Sequence, residues 1–403
     1  MMAQKSAEQM RNWQGPALFS FGFRPFFLFG AIWVVVAMCL WLAMLMGVLD
    51  LPMRYDSGSW HAHEFLFGYM GAVLAGFLLT AVPNWTGRLP IVGWRLAGLF
   101  ALWGAGRICI AFSQMLPPLV APVVDLAFPI VFGLMILREI IAGKNWRNLL
   151  VLALLTVFTM ANGLFHAEAL AGDYAAQGYG QRLGLATAVM MIAVIGGRII
   201  PSFTGNWLAR VQHPVRPSPP MQGFDKAVLL SSLPILALWT LSPMSFATGY
   251  CLLAFGFLHL VRLVRWQGHH TLAEPLVVVL HAAYAFVPLG AFALGVDLIT
   301  GNAGTAGAQH LWMAGAIGSM TLAVMTRATL GHTGRDLTAD KATVAIYLCV
   351  FAAAVTRFLT PQVADLTVLS GVFWLMAFAG FAFFYGPLLL RAKPKKGARA
   401  GQG

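Results

Sequence analysis

The sequence predicts an all-α integral membrane protein, with about twelve transmembrane helices set in three quasi-repeated four-helix units, and three observations lead there. Of the 403 residues, 59% are hydrophobic and only 10% are charged, a balance that no water-soluble globule sustains. Apolar runs of membrane-spanning length, about 17–25 residues, follow one another along nearly the whole chain. One block also recurs three times, ending in Thr86-Gly87, Thr204-Gly205 and Thr333-Gly334. Aligned on these pairs, Arg198 falls on Arg327 and Pro83 on Pro201, and the residue 23 positions before each Thr is His63, Gln181 and His310. The quasi-repeats occupy roughly 20–141, 147–266 and 275–391 of a single transmembrane domain, 1–403.

Taken in order, the spans are expected near 26–48, 64–82, 96–115, 121–137, 149–170, 183–203, 227–241, 247–264, 275–298, 310–330, 342–359 and 366–390. They leave no room for a soluble domain, and the longest loop, 207–225, is proline-rich and carries His213. The first span has no small-residue cleavage site behind it and is expected to remain as an anchor. The net charge of +12 does not point to nucleic acid, because the basic residues sort by loop parity. They gather at the N-terminus, in alternate loops such as Arg138/Lys144/Arg147 and Arg210/Arg216/Lys226, and in the tail Arg391/Lys393/Lys395/Lys396/Arg399. Arg54, Arg182 and Arg357 lie on the opposite face, so both termini are expected in the cytoplasm. Cys39, Cys109, Cys251 and Cys349 sit singly in different spans, which fits neither a disulfide framework nor a metal knuckle.

With that orientation, His61 and His63 open the second helix and His310 opens the tenth, all towards the external face. His166 closes the fifth helix on the same side, near Trp60, Glu64, Glu168 and Gln181. Residues two apart on an α-helix point about 200° from one another, so His61 and His63 cannot chelate one ion as a helical pair; they are expected to serve different ligands, or one of them to sit in the preceding loop. Imidazoles gathered inside a membrane are suited to hold a transition metal or haem iron. A second group, His259, His281 and His332, lies nearer the cytoplasm, with Tyr284 on the helical face of His281; it suits a proton relay, a second cofactor or a hydrogen-bonded buried pair. Of the arginines within spans, Arg107 is placed to meet a haem propionate, while Arg198 and Arg327 are expected to anchor helix ends or clamp a second ligand. His269 and His270 read as a solvated loop pair.

The blocks 60–64 (WHAHE), 75–87 (AGFLLTAVPNWTG), 21–27 (FGFRPFF) and 322–335 (LAVMTRATLGHTGR) strongly resemble the NnrS family of bacterial inner-membrane proteins, and the likeness extends over essentially the whole chain. The resemblance implies a haem- and copper-containing protein of twelve helices, associated with denitrifying bacteria and with resistance to nitric oxide and nitrosative stress. Three arcs of four helices are also similar to the plan of the haem–copper oxidase catalytic subunit. That similarity makes His63 and His310 an axial pair for a b-type haem, with His61 and His166, aided by Glu64 or Glu168, holding copper or a second haem. The chain departs from the oxidase pattern: it has no His-x-His on the tenth helix and no His-His pair in the seventh. The implied activity class is a nitric-oxide-related oxidoreductase in the bacterial inner membrane, with nitric oxide or a similar small molecule as ligand. No residue identifies its electron donor. The alternative is a polytopic transporter, or a metal or haem delivery factor, using the same intramembrane His, Arg and Glu.

Overall fold

A backbone surrounded by lipid must satisfy its own hydrogen bonds, and apolar segments of this length do so as helices. The computed structural model describes residues 13–88, 90–301, 304–360, 363 and 366–392. The basic tail residues Lys393, Lys395, Lys396 and Arg399 lie outside the described residues. Among the described residues there is no strand, and the helices join into rods: α1 (Phe23–Leu45), α2 (Ser57–His63, Glu64–Tyr69 and Met70–Thr86 end to end), α3 (Trp94–Ala111), α4 (Val120–Ala142), α5 (Leu149–Ala171), α6 (Tyr179–Met191, Ile192–Gly196, Gly197–Arg210), α7 (Gly223–Leu241), α8 (Phe246–Val264), α9 (Pro275–Thr300), α10 (Thr305–His310, Leu311–Gly318, Ser319–Thr333), α11 (Lys341–Phe358) and α12 (Leu366–Leu390).

Ten of these are long and apolar enough to cross a membrane, so the chain is a multi-pass membrane protein with a lipid bilayer as its surroundings. Where the sequence reading expects about twelve spans, α3 and α10 stand apart from the ten. Arg95 and Arg107 dilute the apolar run of α3, and Ser319, Thr321, Thr326 and Arg327 dilute that of α10. Both rods pack within the bundle regardless.

Position in the bundle follows from burial. In α2 and α6, 83% and 78% of the apolar window is covered by protein, against 33–44% for α1, α4, α5, α7, α8, α11 and α12. α2, α6 and α10 touch one another pairwise and form the centre, and the remaining rods face lipid on one side. The ring closes where α12 lies against α1: the Arg24 guanidinium donates to the carbonyls of Leu389 (2.8 Å) and Arg391 (2.7 Å). The start of α1 and the end of α12 therefore share one face of the bundle.

Each central rod contains a π-helical stretch: Glu64–Tyr69, Ile192–Gly196 and Leu311–Gly318. Such stretches widen a helix by one residue per turn and concentrate at functional sites. Two of them begin directly after His63 and His310. The Thr-Gly pairs explain themselves in part. Gly87 and Gly334 adopt φ of +67° and +75° and stop α2 and α10 in the left-handed conformation that glycine takes without strain. Gly205 instead lies inside α6, which runs on to Arg210 through a helix-compatible sequence.

Candidate metal centre

The Asp56 carboxylate accepts from the Ser59 amide (2.8 Å) and caps α2, so the helix already holds both His61 and His63 in its first turns. Two positions apart, the rings leave on opposite faces, as the helical geometry requires. His63 turns towards α4 and α5. Its neighbour Glu64 opens the π stretch and is buried beside it.

His63 is fully buried, its Nδ1 3.0 Å from Glu64 Oε1 and its Nε2 2.9 Å from Asn162 Oδ1. Asn162 Nδ2 donates to Asp125 Oδ2 (2.7 Å), which also lies 3.0 Å from His166 Nε2 and 3.4 Å from His63 Nε2. The Tyr55 hydroxyl meets His166 Nδ1 at 2.6 Å. Arg107 reaches both Glu64 oxygens from Nη1 (2.9 Å each) and pairs with Asp125 through Nη2, while Trp33 Nε1 donates to Glu64 Oε2 (2.7 Å). Gly68 is required here because the Arg107 guanidinium lies where a Cβ would stand. Ligand atoms of His63, Asp125 and His166 all fall within 4.8 Å of one another, the one group of three or more such ligands that converges among the described residues.

Hydrogen-bond direction constrains the proton count. Glu64 accepts from Arg107 and Trp33, and the Asn162 carbonyl oxygen is fixed because its amide donates to Asp125. Both nitrogens of His63 therefore face acceptors, and the ring satisfies both only as an imidazolium. His166 is satisfied when neutral, donating from Nε2 to Asp125 and accepting at Nδ1 from Tyr55. The cluster is then balanced, two carboxylates against Arg107 and His63. A monovalent metal ion replacing the Nε2 proton keeps that balance and leaves a carboxylate–histidine–metal relay through Nδ1–H and Glu64.

The other histidines lie elsewhere. His61 stacks on Trp41 of α1 (ring centroids 4.1 Å apart) with Phe65 at 4.4 Å, and its Nδ1 is buried with no hydrogen-bond partner. His310 bonds through Nδ1 to the carbonyl of Ala306 in its own helix (2.6 Å). His61, His310 and Arg357 lie within electrostatic reach of one another, on α2, α10 and α11. The structure thus groups His63 with His166, a different pairing from the one that the oxidase plan implies, and His61 and His310 stand outside that cluster. Glu168 is apart from both, accepting from the amides of Tyr179 (2.6 Å) and Gly180 (3.1 Å) at the start of α6.

Between α6 and α9 a second buried network runs from Ser232 through His259 Nε2 (3.0 Å), from His259 Nδ1 to the Tyr284 hydroxyl (2.7 Å), and from Tyr284 to Arg262 (3.0 Å) and Asp225 (2.6 Å from Arg262 Nε). Arg262 also donates to the Ala193 carbonyl in the π stretch of α6 (2.8 Å). His281 bonds Thr204 instead (2.8 Å). Arg198 reaches Asn148 (3.4 Å), Arg327 lies over the Phe203 ring (4.0 Å), and His332 packs on Phe21 and Phe23. In the loops, the rings of His213 and His269 flank His270 at 4.7 and 4.0 Å. His270 is held below the ordinary histidine range, first by desolvation and then by these imidazoles.

Sequence reasoning passed over Asp125, Asn162, Tyr55, Asp225 and Arg262. Asp125 had a signal, as the one carboxylate in the expected span 121–137, and so did Arg262, in the last turn of α8. Asn162, Tyr55 and Ser232 had none, since such residues are common in spans and loops.

Fold and cluster together define a polytopic helical membrane protein with a buried histidine–carboxylate centre. The model of the family described as NnrS protein matches residues 17–393, nearly the whole chain, and the chain belongs to the NnrS family. No curated protein matches it.

Proposed function

We propose that this chain is an inner-membrane redox protein of nitric oxide metabolism or nitrosative-stress resistance that holds copper at His63, His166 and Asp125 and haem at His61 and His310, with both termini in the cytoplasm. The observation that carries the reading is the convergence of two imidazoles and a carboxylate, all buried, within 4.8 Å. Two nitrogens and one oxygen suit a first-row transition metal, and the proton-for-cation exchange at His63 favours the monovalent state of copper. Glu64 then accepts from His63 Nδ1–H, His166 takes the Nδ1–H tautomer and donates to the Tyr55 oxygen so that its Nε2 is free for the metal, and Arg107 pairs with both carboxylates.

Haem does not fit beside His63. The cavity adjoining Asp125 and Asn162 is only about 10 Å³, far too small for a porphyrin. The His61–His310 side suits it better. The orphaned Nδ1 of His61 is a donor atom without a partner, and the bond from His310 Nδ1 to Ala306 leaves Nε2 as its ligand atom. Arg357 is the cation available there for a propionate. Haem iron would supply a site for a small uncharged ligand and one-electron chemistry.

The test is copper, iron and haem quantification on protein purified from native-like membranes, with optical titration by nitric oxide. His61→Ala or His310→Ala is expected to remove the Soret band and spare copper, while His63→Ala or Asp125→Asn removes copper and spares the Soret band. Copper loading is expected to weaken as pH falls, since protons compete for His63. A folded protein that is colourless and free of copper overturns the reading in favour of a transporter. Copper that passes to an acceptor protein on mixing replaces it with a delivery factor.

A further inference from the structure

We infer that the axis between α2, α6 and α10 is a binding site for a single-chain anionic amphiphile, with its carboxylate on Arg327 and its chain buried along the axis. The inference is independent of the metal and haem assignments.

Two cavities, of about 340 Å³ and about 60 Å³, share Phe77, Ile199 and Val324 in their walls and so form one passage. The walls follow the Thr-Gly register. Val73, Met191 and Met320 each stand thirteen positions before their Thr, and Phe77, Ile195 and Val324 each stand nine positions before. The passage therefore runs down the quasi-threefold axis of the central rods. It begins beside His332 and Leu337 on the face that carries the ends of α1 and α12, and it ends at Met70 and Ile317. From Arg327 to Ile317 is ten residues of helix, about 15 Å. That depth suits a medium-length acyl chain, whereas the volume is too small for the two chains of a phospholipid.

The polar side chains at the mouth are Thr80, Arg327 and His332, and deeper in the lining only Thr321 is polar, its hydroxyl taken up by Tyr69 (2.7 Å) and the Ile317 carbonyl (2.8 Å). Symmetry breaks at one position, six before the Thr: Thr80 and Arg327 face the passage, while Arg198 turns away to Asn148. One guanidinium is thus presented, backed by the Phe203 ring at 4.0 Å. No carboxylate lines the cavity. Glu274, the carboxylate that acts on Arg327 from outside, lies 3.6 Å from Arg210 and accepts from the Leu276 amide. A single positive fork above a narrow apolar shaft matches a fatty carboxylate, which an arginine holds bidentately.

Native mass spectrometry of delipidated full-length protein with added laurate tests this, with methyl laurate as the uncharged counterpart. One saturable laurate adduct is expected, with methyl laurate at least about tenfold weaker. Arg327→Gln is expected to weaken laurate by a similar factor, Arg327→Lys by less, and Ala328→Phe to abolish the adduct by filling the shaft, while Arg198→Gln leaves it unchanged. Equal binding of laurate and methyl laurate by the unaltered protein overturns the inference without any variant. So does retention of laurate by both Arg327→Gln and Ala328→Phe.

Discussion

The cluster between α2 and α5 and the network between α6 and α9 are built from nearly the same parts. Each buries an arginine, a tyrosine, an aspartate and histidine among apolar helices, two imidazoles in the first and His259 alone in the second, yet they differ in charge balance and in where the donor atoms point. In the α6–α9 network one aspartate meets one arginine and both nitrogens of His259 are satisfied by hydroxyls, so its charges balance, with Arg262 Nη2 as the buried donor left without a partner. In the α2–α5 cluster two carboxylates meet one arginine, and both nitrogens of His63 face acceptor oxygens. A count of histidines does not separate a structural knot from a metal centre. What separates them is an excess of buried negative charge together with lone pairs aimed at one point.

The sharpest way to break this comparison is to remove one imidazole from each region. His166→Ala is expected to abolish copper binding, because it takes away one of three converging ligands, whereas His259→Ala retains copper at the level of the unaltered protein. Atomic absorption on both purified variants decides it. Equal loss in both would mean that the two networks are not chemically distinct.

Next in size is the cost of unbalancing the closed network. Arg262→Gln leaves Asp225 buried without its cation and the Ala193 carbonyl of the π stretch without its donor, at about 3–5 kcal/mol. Thermal unfolding monitored by tryptophan fluorescence should drop accordingly. Adding Asp225→Asn to Arg262→Gln is expected to recover part of the loss, and no recovery would show that the carbonyl rather than the ion pair dominates.

The reach of the sequence can be judged from these same residues. Helices, membrane and repeat motif are written in apolar run length and in Thr-Gly spacing, both local properties, and so is the divergence of His61 from His63. Which histidine meets which was not legible, since pairing depends on how rods far apart in the chain are rotated against one another. His63 and His310 occupy equivalent repeat positions and each precedes a π stretch, which made them look like partners. In the fold His63 turns to Asn162 and His166 on α5, while His310 bonds back to Ala306 in its own helix. The carboxylate that gathers His63 and His166 is Asp125, whose sequence surroundings show an expensive buried charge but not its neighbours.

A smaller effect sharpens the α2–α5 side alone. Glu64→Gln keeps the shape of the side chain but removes the charge that holds His63 Nδ1–H and half of the Arg107 pairing, without touching any proposed ligand atom. Such an outer partner typically accounts for about 10–100-fold in metal affinity. Competition with a chelator of known strength should show a loss in that range. A total loss comparable to His166→Ala would make Glu64 itself a ligand.

The smallest effect lies outside both networks and serves as a control on global stability. Asp340 caps α11, accepting from the Thr343 amide (2.8 Å) and hydroxyl (2.7 Å), and these bonds hold its carboxyl below the ordinary aspartate value. Because the folded form binds its proton less readily than the unfolded form, the stabilisation is complete above the unfolded aspartate pKa, about 3.9, and disappears as pH falls through the folded value. Asp340→Ala is expected to cost about 1 kcal/mol at neutral pH and progressively less below pH of about 4. Copper and haem content should stay unchanged throughout. A variant of this kind that also lost copper would show that metal loading tracks bundle stability in general, and the distinction drawn between the two buried networks would then rest on the His166 and His259 substitutions at matched stability.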